Sequence, residues 1–321
     1  MKIKQYKQKI YKFISVGLIG VSVLCSGAAL ADTVTVSHIM GETTLNTSPE
    51  KIVVIGIGAL DAVDAFGVEP VAVSKVAAFP DYLSKYADDK YASAGTIFEP
   101  DFESIYMQKP DLIIVGPRSS KHYEELSKIA PTFVYAVNNG DSYWSDTKVL
   151  WEKLGKVLDR EELVENKINA LDSRFKSIEK HNKEHDYNAL MVMSSGSNIT
   201  AFNENSRFAS LYKDFGFKPS IQMADNADKK SAGGRNGGHG NLVSYELIKQ
   251  NNPSTLFVLD RDKLVNRGKS TTHQDFENDL VKATQAYQNN RMVFLDITAW
   301  YVAGSGVHAT EQMLRDIEQL N

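Results

Sequence analysis

Cysteine is almost missing: the 321 residues contain one, Cys25. From Asp32 onward there is none, which excludes disulfides and thiolate metal sites from that part of the chain. Its stability must come from a buried core, which about 290 residues can build, in two lobes. Acidic residues are missing from the first 31 positions, where Lys2, Lys4, Lys7, Lys9 and Lys12 stand. The apolar stretch from Phe13 to Cys25 is too short to span a bilayer comfortably. A basic start, a short apolar stretch and Ala29-Leu30-Ala31 together form the pattern of a secretory leader, residues 1–31, removed after Ala31. Cys25 raises the alternative of a lipid anchor, but Leu24 stands where that cleavage wants a small residue. Enzyme signatures are missing too: there is no GxSxG elbow, no Walker loop and no HExxH. Gly56-Ile57-Gly58 resembles a dinucleotide loop only loosely, because Asp61 occupies the place of the third glycine. An exported enzyme is therefore the less expected reading.

Basic charge is scarce in the exported part. All five leader lysines come from a total of 36 Lys+Arg, and all 40 Asp+Glu lie beyond the leader. That leaves 31 basic against 40 acidic residues, a net charge of −9. Nucleic acid is not an expected partner. An anionic ligand would need a local basic cluster to overcome this background.

What is present is a series of short apolar strands alternating with helical stretches. Val34 to Leu45 reads as a hairpin around Gly41. Strands follow after Lys51, where IVVIGIG ends in glycine, after Pro70, after Asp111, where LIIV is apolar, and from Thr132, with helical stretches near Ala59–Phe66 and Asp101–Gln108. A second series has strands from Ala189, Ile199, Leu256 and Met292, and closes on an amphipathic helix from Thr310 to Leu320. The pattern predicts βα units and mainly parallel sheets. Between the series, Asp141 to about Lys180 has no proline and one glycine, with Val149, Leu154, Val157, Leu163, Ile168, Leu171, Phe175 and Ile178 at helical spacing. This segment reads as one long helix or two abutting ones. The expected plan is an α/β protein with an N-terminal lobe at 32–140, a linker helix at 141–182 and a C-terminal lobe at 183–321, the ligand lying in a cleft between the lobes.

The two lobes echo each other. FESIYMQKPDLIIVGPR ends on Arg118 and YELIKQNNPSTLFVLDR ends on Arg261. Glu is second, Ile fourth, Pro ninth and Arg seventeenth in both, which points to duplication. Each arginine falls just past the C-terminal end of a buried strand, where ligands bind in open α/β sheets. Elsewhere, GGRNGGHGNLVSYE surrounds Arg235 and His239 with glycines, the mark of a turn, a mobile loop or close approach to a ligand. His181 and His185 have helical i,i+4 spacing but no evident third metal ligand, so they read as solvated.

The stretches GETTLNTSPEKIVVIGIGALDAVDAFGVEPVAV, FEPDFESIYMQKPDLIIV and HGNLVSYELIKQNNPSTLFVLDR, with the helical linker, resemble the periplasmic substrate-binding proteins of ABC transporters for siderophores, haem and vitamin B12. Within that class the chain is most similar to binders of ferric catecholate siderophores of the enterobactin type. The resemblance implies a periplasmic monomer that hands its ligand to an inner-membrane ABC permease for iron uptake. It implies three ligand-binding arginines, Arg118, Arg207 and Arg261, with His239 and Tyr301 as iron ligands. Trp300, beside Tyr301, joins the ligand set. Arg235 is an additional basic residue, either a further ligand contact or a loop cap. Glu103 and Glu246, one per lobe, are the implied permease-docking residues. No cofactor is expected to be permanently bound; ferric iron is cargo, carried inside the siderophore. The chemistry is consistent. A ferric tris-catecholate is a trianion covered in oxygen acceptors, and arginine presents permanently charged, forked donors. Haem, a hydroxamate siderophore or cobalamin stays open as the ligand of the same class. A helical linker further implies little lobe closure, with most change in the Gly233–Gly240 loop, mobile without ligand and ordered with it.

Overall fold

The computed structural model describes residues 33–46, 48–137, 142–221, 240–266 and 268–320. The chain divides into two units, Met1–Ala31 and Asp32–Asn321, and the description concerns the second.

That unit opens with the expected hairpin, β1 (Thr33–His38) against β2 (Gly41–Asn46). The N-terminal lobe follows as a five-stranded, wholly parallel sheet of β3 (Ile52–Ile55), β4 (Ala72–Val73), β5 (Ala92–Ser93), β6 (Leu112–Val115) and β7 (Thr132–Val134). Its order is β5-β4-β3-β6-β7. β3 and β6 are uniformly apolar and uniformly buried, as strands covered on both faces must be. Helix α1 (Ile57–Ala65) follows β3, and α2 (Phe102–Gln108) precedes β6.

The C-terminal lobe contains β8 (Asn188–Ser195), β9 (Asn198–Phe202), β10 (Lys218–Pro219), β11 (Asn241–Val243), β12 (Thr255–Asp260) and β13 (Met292–Leu295). The order is β11-β9-β8-β12-β13, with β10 also on β8. β8, β10, β12 and β13 are parallel, while β9 runs antiparallel to both its neighbours, β8 and the edge strand β11. The second lobe is therefore mixed rather than a plain βα series, because β8 turns straight back into β9 through Gly196 at φ +57°.

The linker, expected as one long helix or two abutting ones, is two helices, α3 (Tyr143–Leu158) and α4 (Glu161–Glu184). The break is set by Asp159, which takes the left-handed conformation at φ 55°, tolerated better by aspartate than by most side chains. The two run antiparallel. The Trp144 ring stacks on Phe175 with centroids 4.7 Å apart, Lys148 pairs with Asp172 at 2.9 Å, and Gly155 packs against Val164. This hairpin ties both lobes. At the start of α3, Asp214 of the C-terminal lobe accepts from Ser142 Oγ (2.5 Å) and from the Tyr143 and Trp144 amides (both 3.1 Å). At its other end, Ser48 of the N-terminal lobe donates to Asp159. Helix α4 then returns to the C-terminal lobe, where buried Asn182 donates to the Phe215 carbonyl at 2.8 Å.

One hydrophobic core runs through everything. It joins Val54, Phe66 and Val73 of the first lobe to Trp151 and Phe175 of the linker and to Phe257, Leu259 and Val293 of the second. Each lobe keeps a smaller satellite core on its outer face. A large side chain removed from the shared core, such as Trp151 (0% exposed), would cost about 3–5 kcal/mol. Among the described residues, no helix is long and apolar enough to cross a membrane.

Candidate functional site

The internal repeat is real in three dimensions. α2 and its counterpart α5 (Tyr245–Asn251) are both seven residues long. Each is capped by a side chain accepting from its first turn, Asp101 on Ser104 N and Ser244 on Leu247 N. Each ends on a left-handed residue, Lys109 (φ 51°) or Asn252 (φ 45°). The fourth residue of each repeat, Ile105 or Ile248, is completely buried. Proline follows and then a buried strand, which delivers Arg118 or Arg261 to its C-terminal end.

From there the two arginines do different things. Arg118 reaches out of its lobe: its guanidinium donates to the carbonyls of Tyr301 (3.1 Å) and Val302 (3.4 Å). Arg261 stays in its own lobe, donating to Ser195 Oγ at 3.3 Å. Ser195 ends β8 on the same face as Met193, which packs against the shared core, and Arg261 is the first residue past β12, already helical at φ −72° and ψ −22°. Arg207 arrives from a third direction, the turn after β9. Phe208 anchors that turn, 1% exposed and edge-on to Phe202 at 4.8 Å. Arg207 itself is exposed, and its guanidinium lies 4.1 Å from the centroid of the Tyr301 ring. A cation over an aromatic face at this range contributes about 0.5–2 kcal/mol.

Tyr301 is therefore the meeting point of two of the expected arginines. It lies half-buried in a π-helical turn, Thr298–Val302, which follows β13. Single π-turns are uncommon and concentrate at functional sites. With Arg118 on its backbone carbonyl and Arg207 over its ring, Tyr301 has two guanidinium groups nearby that can donate to the oxygens of an anionic ligand, and a phenol oxygen of the kind a hard metal ion takes.

Trp300 departs from expectation. It is 7% exposed, its indole N–H donates to Asp316 at 2.8 Å, and its ring sits 6.0 Å from Phe215 in the shared core. Adjacent residues in a helical turn point in different directions, so Trp300 anchors the turn while Tyr301 faces outward. Burial lifts the Asp316 carboxyl above the usual range, offset in part by the amide and side-chain donors it accepts. His239 and Arg235 lie outside the described residues. Gly240, which is described, is glycine for a packing reason. A side chain there would collide with the Ala201 carbonyl, because β11 joins the edge of β9 at that point.

Glu103 and Glu246 both occupy the exposed first turn of their helices, α2 and α5. The His181 and His185 rings lie 4.2 Å apart, but no group of three potential metal ligands exists among the described residues.

Two features were not expected from sequence. Ser195 partners Arg261. Asp61 of α1 holds the start of the last helix, α6 (Val307–Glu318), on the other side of the lobe junction. A signal for Asp61 existed: α6 has glycine at its N-cap and no capping side chain of its own, so its first amides need an acceptor from elsewhere.

Comparison with known proteins places this geometry. The family described as periplasmic binding protein matches residues 52–298. The chain is 55% identical to VctP, the periplasmic catecholate-siderophore binding protein from Vibrio cholerae; the structures agree with a TM-score of 0.83 over 90% of this chain and 100% of that one. It is 35% identical over 288 residues to the petrobactin-binding protein YclQ of Bacillus subtilis, covering 89% of this chain and 87% of YclQ. The YclQ crystal structure gives a TM-score of 0.79. The siderophore-binding protein BauB, solved with a complex of two acinetobactin molecules and ferric iron, is 28% identical with a TM-score of 0.79, over 90% of this chain and 98% of that one.

Proposed function

Because the chain belongs to the periplasmic binding protein family, we propose that it captures a ferric catecholate siderophore at the lobe junction and delivers it to an ABC permease for iron uptake. The observation that carries this reading is the cluster at Tyr301, where Arg118 grips the backbone carbonyl and Arg207 lies over the ring, each from a different element. Similarity to VctP over the whole exported part supports the catecholate class. The likeness to the enterobactin-binding FepB of Escherichia coli, 30% over 147 residues, spans only 42% of this chain and does not single out enterobactin.

In this reading Arg118, Arg207 and Arg261 neutralise the anion. A tris-catecholate fills all six iron positions itself; a bis-catecholate fills four and leaves two, for Tyr301 and His239. Arg235, in the same glycine-rich stretch of sequence as His239, is a further ligand contact or a loop cap. Residues 1–31 direct export and are removed after Ala31. The protein acts as a monomer, binds without turnover, and presents Glu103 and Glu246 to the permease.

The test is tryptophan-fluorescence quenching, with native mass spectrometry, against a ferric tris-catecholate, a ferric bis-catecholate, a ferric hydroxamate, haem and cobalamin. Tight binding of the two catecholates is expected. Tyr301→Phe and His239→Ala should weaken the bis-catecholate about tenfold or more while leaving the tris-catecholate within about twofold. Preferential binding of haem, hydroxamate or cobalamin would overturn the ligand class.

A further inference from the structure

The segment carrying Tyr301 belongs by sequence to the C-terminal lobe, yet it is fastened to the opposite lobe and to the linker. Arg118 holds the carbonyls of Tyr301 and Val302. The Ser305 carbonyl accepts from Tyr135 OH (2.6 Å) of the N-terminal lobe and from Trp151 Nε1 (2.7 Å) of α3. The Ser305 amide donates to Tyr143 OH at 3.1 Å. Beyond it, Asp61 of α1 receives the start of α6: Oδ1 accepts from the His308 amide and lies 2.9 Å from His308 Nδ1, while Oδ2 accepts from the Ala309 amide, also at 2.9 Å. Tyr82 OH donates to Oδ2 at 3.1 Å, and the Tyr82 ring stacks on His308 with centroids 4.9 Å apart.

Asp61 is fully buried, and burying a carboxylate is costly unless its lone pairs are filled. Here they are filled almost entirely by the strap from Tyr301 to Ala309. The fit is close on both sides. A side chain at Gly58 would strike the Gly304 carbonyl, and one at Gly306 would strike the Asp61 carboxylate.

We infer that Asp61 is a positioning residue for ligand capture: by holding the start of α6 against α1, it fixes the Tyr301 phenol relative to the lobe that carries Arg118. Asp61 does not touch the ligand. The strap it holds is the one that Arg118 grips at its other end, so the phenol and the first arginine are set by the same lobe. This inference rests on the proposed role of Tyr301 toward iron.

Dissociation constants for a ferric bis-catecholate and a ferric tris-catecholate are measured on the wild type, Tyr301→Phe, Asp61→Asn and Gly306→Ala. Asp61→Asn keeps the shape but replaces an acceptor oxygen with an amide nitrogen. Gly306→Ala leaves Asp61 intact and pushes the strap off it; Gly306 has φ −67°, which alanine adopts freely. The expected result is that both variants weaken the bis-catecholate about tenfold, as Tyr301→Phe does, and the tris-catecholate by less than about twofold. Resonance Raman spectra of the bis-catecholate complex should lose tyrosinate ring modes in the same variants. A general loss of fold would lower both affinities together, and equal losses overturn the inference. So does an unchanged ratio in both variants while Tyr301→Phe changes it; the proposed function then stands. Should Asp61→Asn not fold, Gly306→Ala decides alone. If the wild type binds neither catecholate, the proposed function fails and the inference with it.

Discussion

The repeat in the two lobes produces the same helix, the same left-handed cap and the same buried strand, then diverges at its last residue. Arg118 crosses to the other lobe's backbone, whereas Arg261 settles on Ser195 beside it. The helices diverge as well. On α2, Glu103 is followed at i+3 and i+4 by Tyr106 and Met107, both about two-thirds exposed (66% and 67%). On α5 the equivalent places hold Lys249 and Gln250. Duplication supplies two copies of a scaffold, and the copies then specialise where side chains leave it. One arginine is coupled to the lobe junction and one is local. One exposed glutamate has apolar neighbours and the other polar ones.

The largest effect expected from this contrast is in transport. Replacing Glu103 and Glu246 together with alanine should abolish ferric siderophore uptake in cells while leaving the dissociation constant of the purified protein within about twofold, since exposed residues far from a site rarely couple to it. The single variants test equivalence. Apolar contact beside Glu103 adds area that a permease can bury, so Glu103→Ala with Tyr106→Ser should reduce uptake more than Glu246→Ala alone. Full uptake by the double glutamate variant would remove the docking role from both.

Binding comes next. Arg118→Ala should weaken the bis-catecholate about 100-fold and the tris-catecholate about 10-fold, and Arg261→Ala should weaken both about 10-fold, charged hydrogen bonds being worth about 1.5–3 kcal/mol each. The larger bis-catecholate loss at Arg118 has a double origin, since the alanine variant also releases the Tyr301 and Val302 carbonyls. Equal bis-catecholate losses would mean that the crossing contact adds nothing.

The legibility of this molecule in its sequence follows the same division. Elements fixed by local chemistry were readable. Val34 to Leu45 was a hairpin because apolar residues alternate around Gly41, and Leu112–Val115 was a buried strand because nothing in it is polar. The placement of Arg118 and Arg261 just past a buried strand was readable because the repeat gave them a shared position. Features fixed by contacts distant in sequence were not. The linker breaks at Asp159 without glycine or proline, since its two halves pack better folded back than extended. Trp300 and Tyr301 are adjacent and both aromatic, so only the fold tells that the first is anchored on Asp316 and the second faces Arg207. Asp61 and Ala309 are 248 positions apart, beyond any local pattern.

A smaller effect concerns shape. One core and an antiparallel helical pair join the lobes, so hinge closure would have to open packed apolar surface. Small-angle scattering with and without a ferric catecholate should show a change in radius of gyration of about 1 Å or less, in contrast to binding proteins hinged on flexible strands. A larger contraction would mean that the lobes move despite their shared core.

The smallest expected effect lies at the junction itself, in its dependence on pH. The hydrogen bond to Asp61 raises the His308 pKa above its ordinary value of 6.5, with burial opposing and with Asp61, Glu311 and Asp64 supplying negative charge. Tyr82 packs on the same imidazole and stays neutral, its own pKa pushed far up by burial and by Asp61. A group with a raised folded pKa contributes stability that is fully present below its unfolded pKa and is lost as pH rises through the folded one. The charged His308–Asp61 pair therefore supports the junction in mild acid, and its ionic part fades above neutrality. The hydrogen bond itself survives, because neutral imidazole can still donate from Nδ1. The His308 side chain is 36% exposed, so solvent screening holds the ionic part below about 1 kcal/mol. Denaturant unfolding of the wild type and His308→Ala at pH 5.5 and pH 8.5 measures it. The variant should lose more stability at the acid pH, where wild-type His308 is charged. A loss that is equal at both values would show that His308 joins the lobes as a neutral hydrogen-bond donor only.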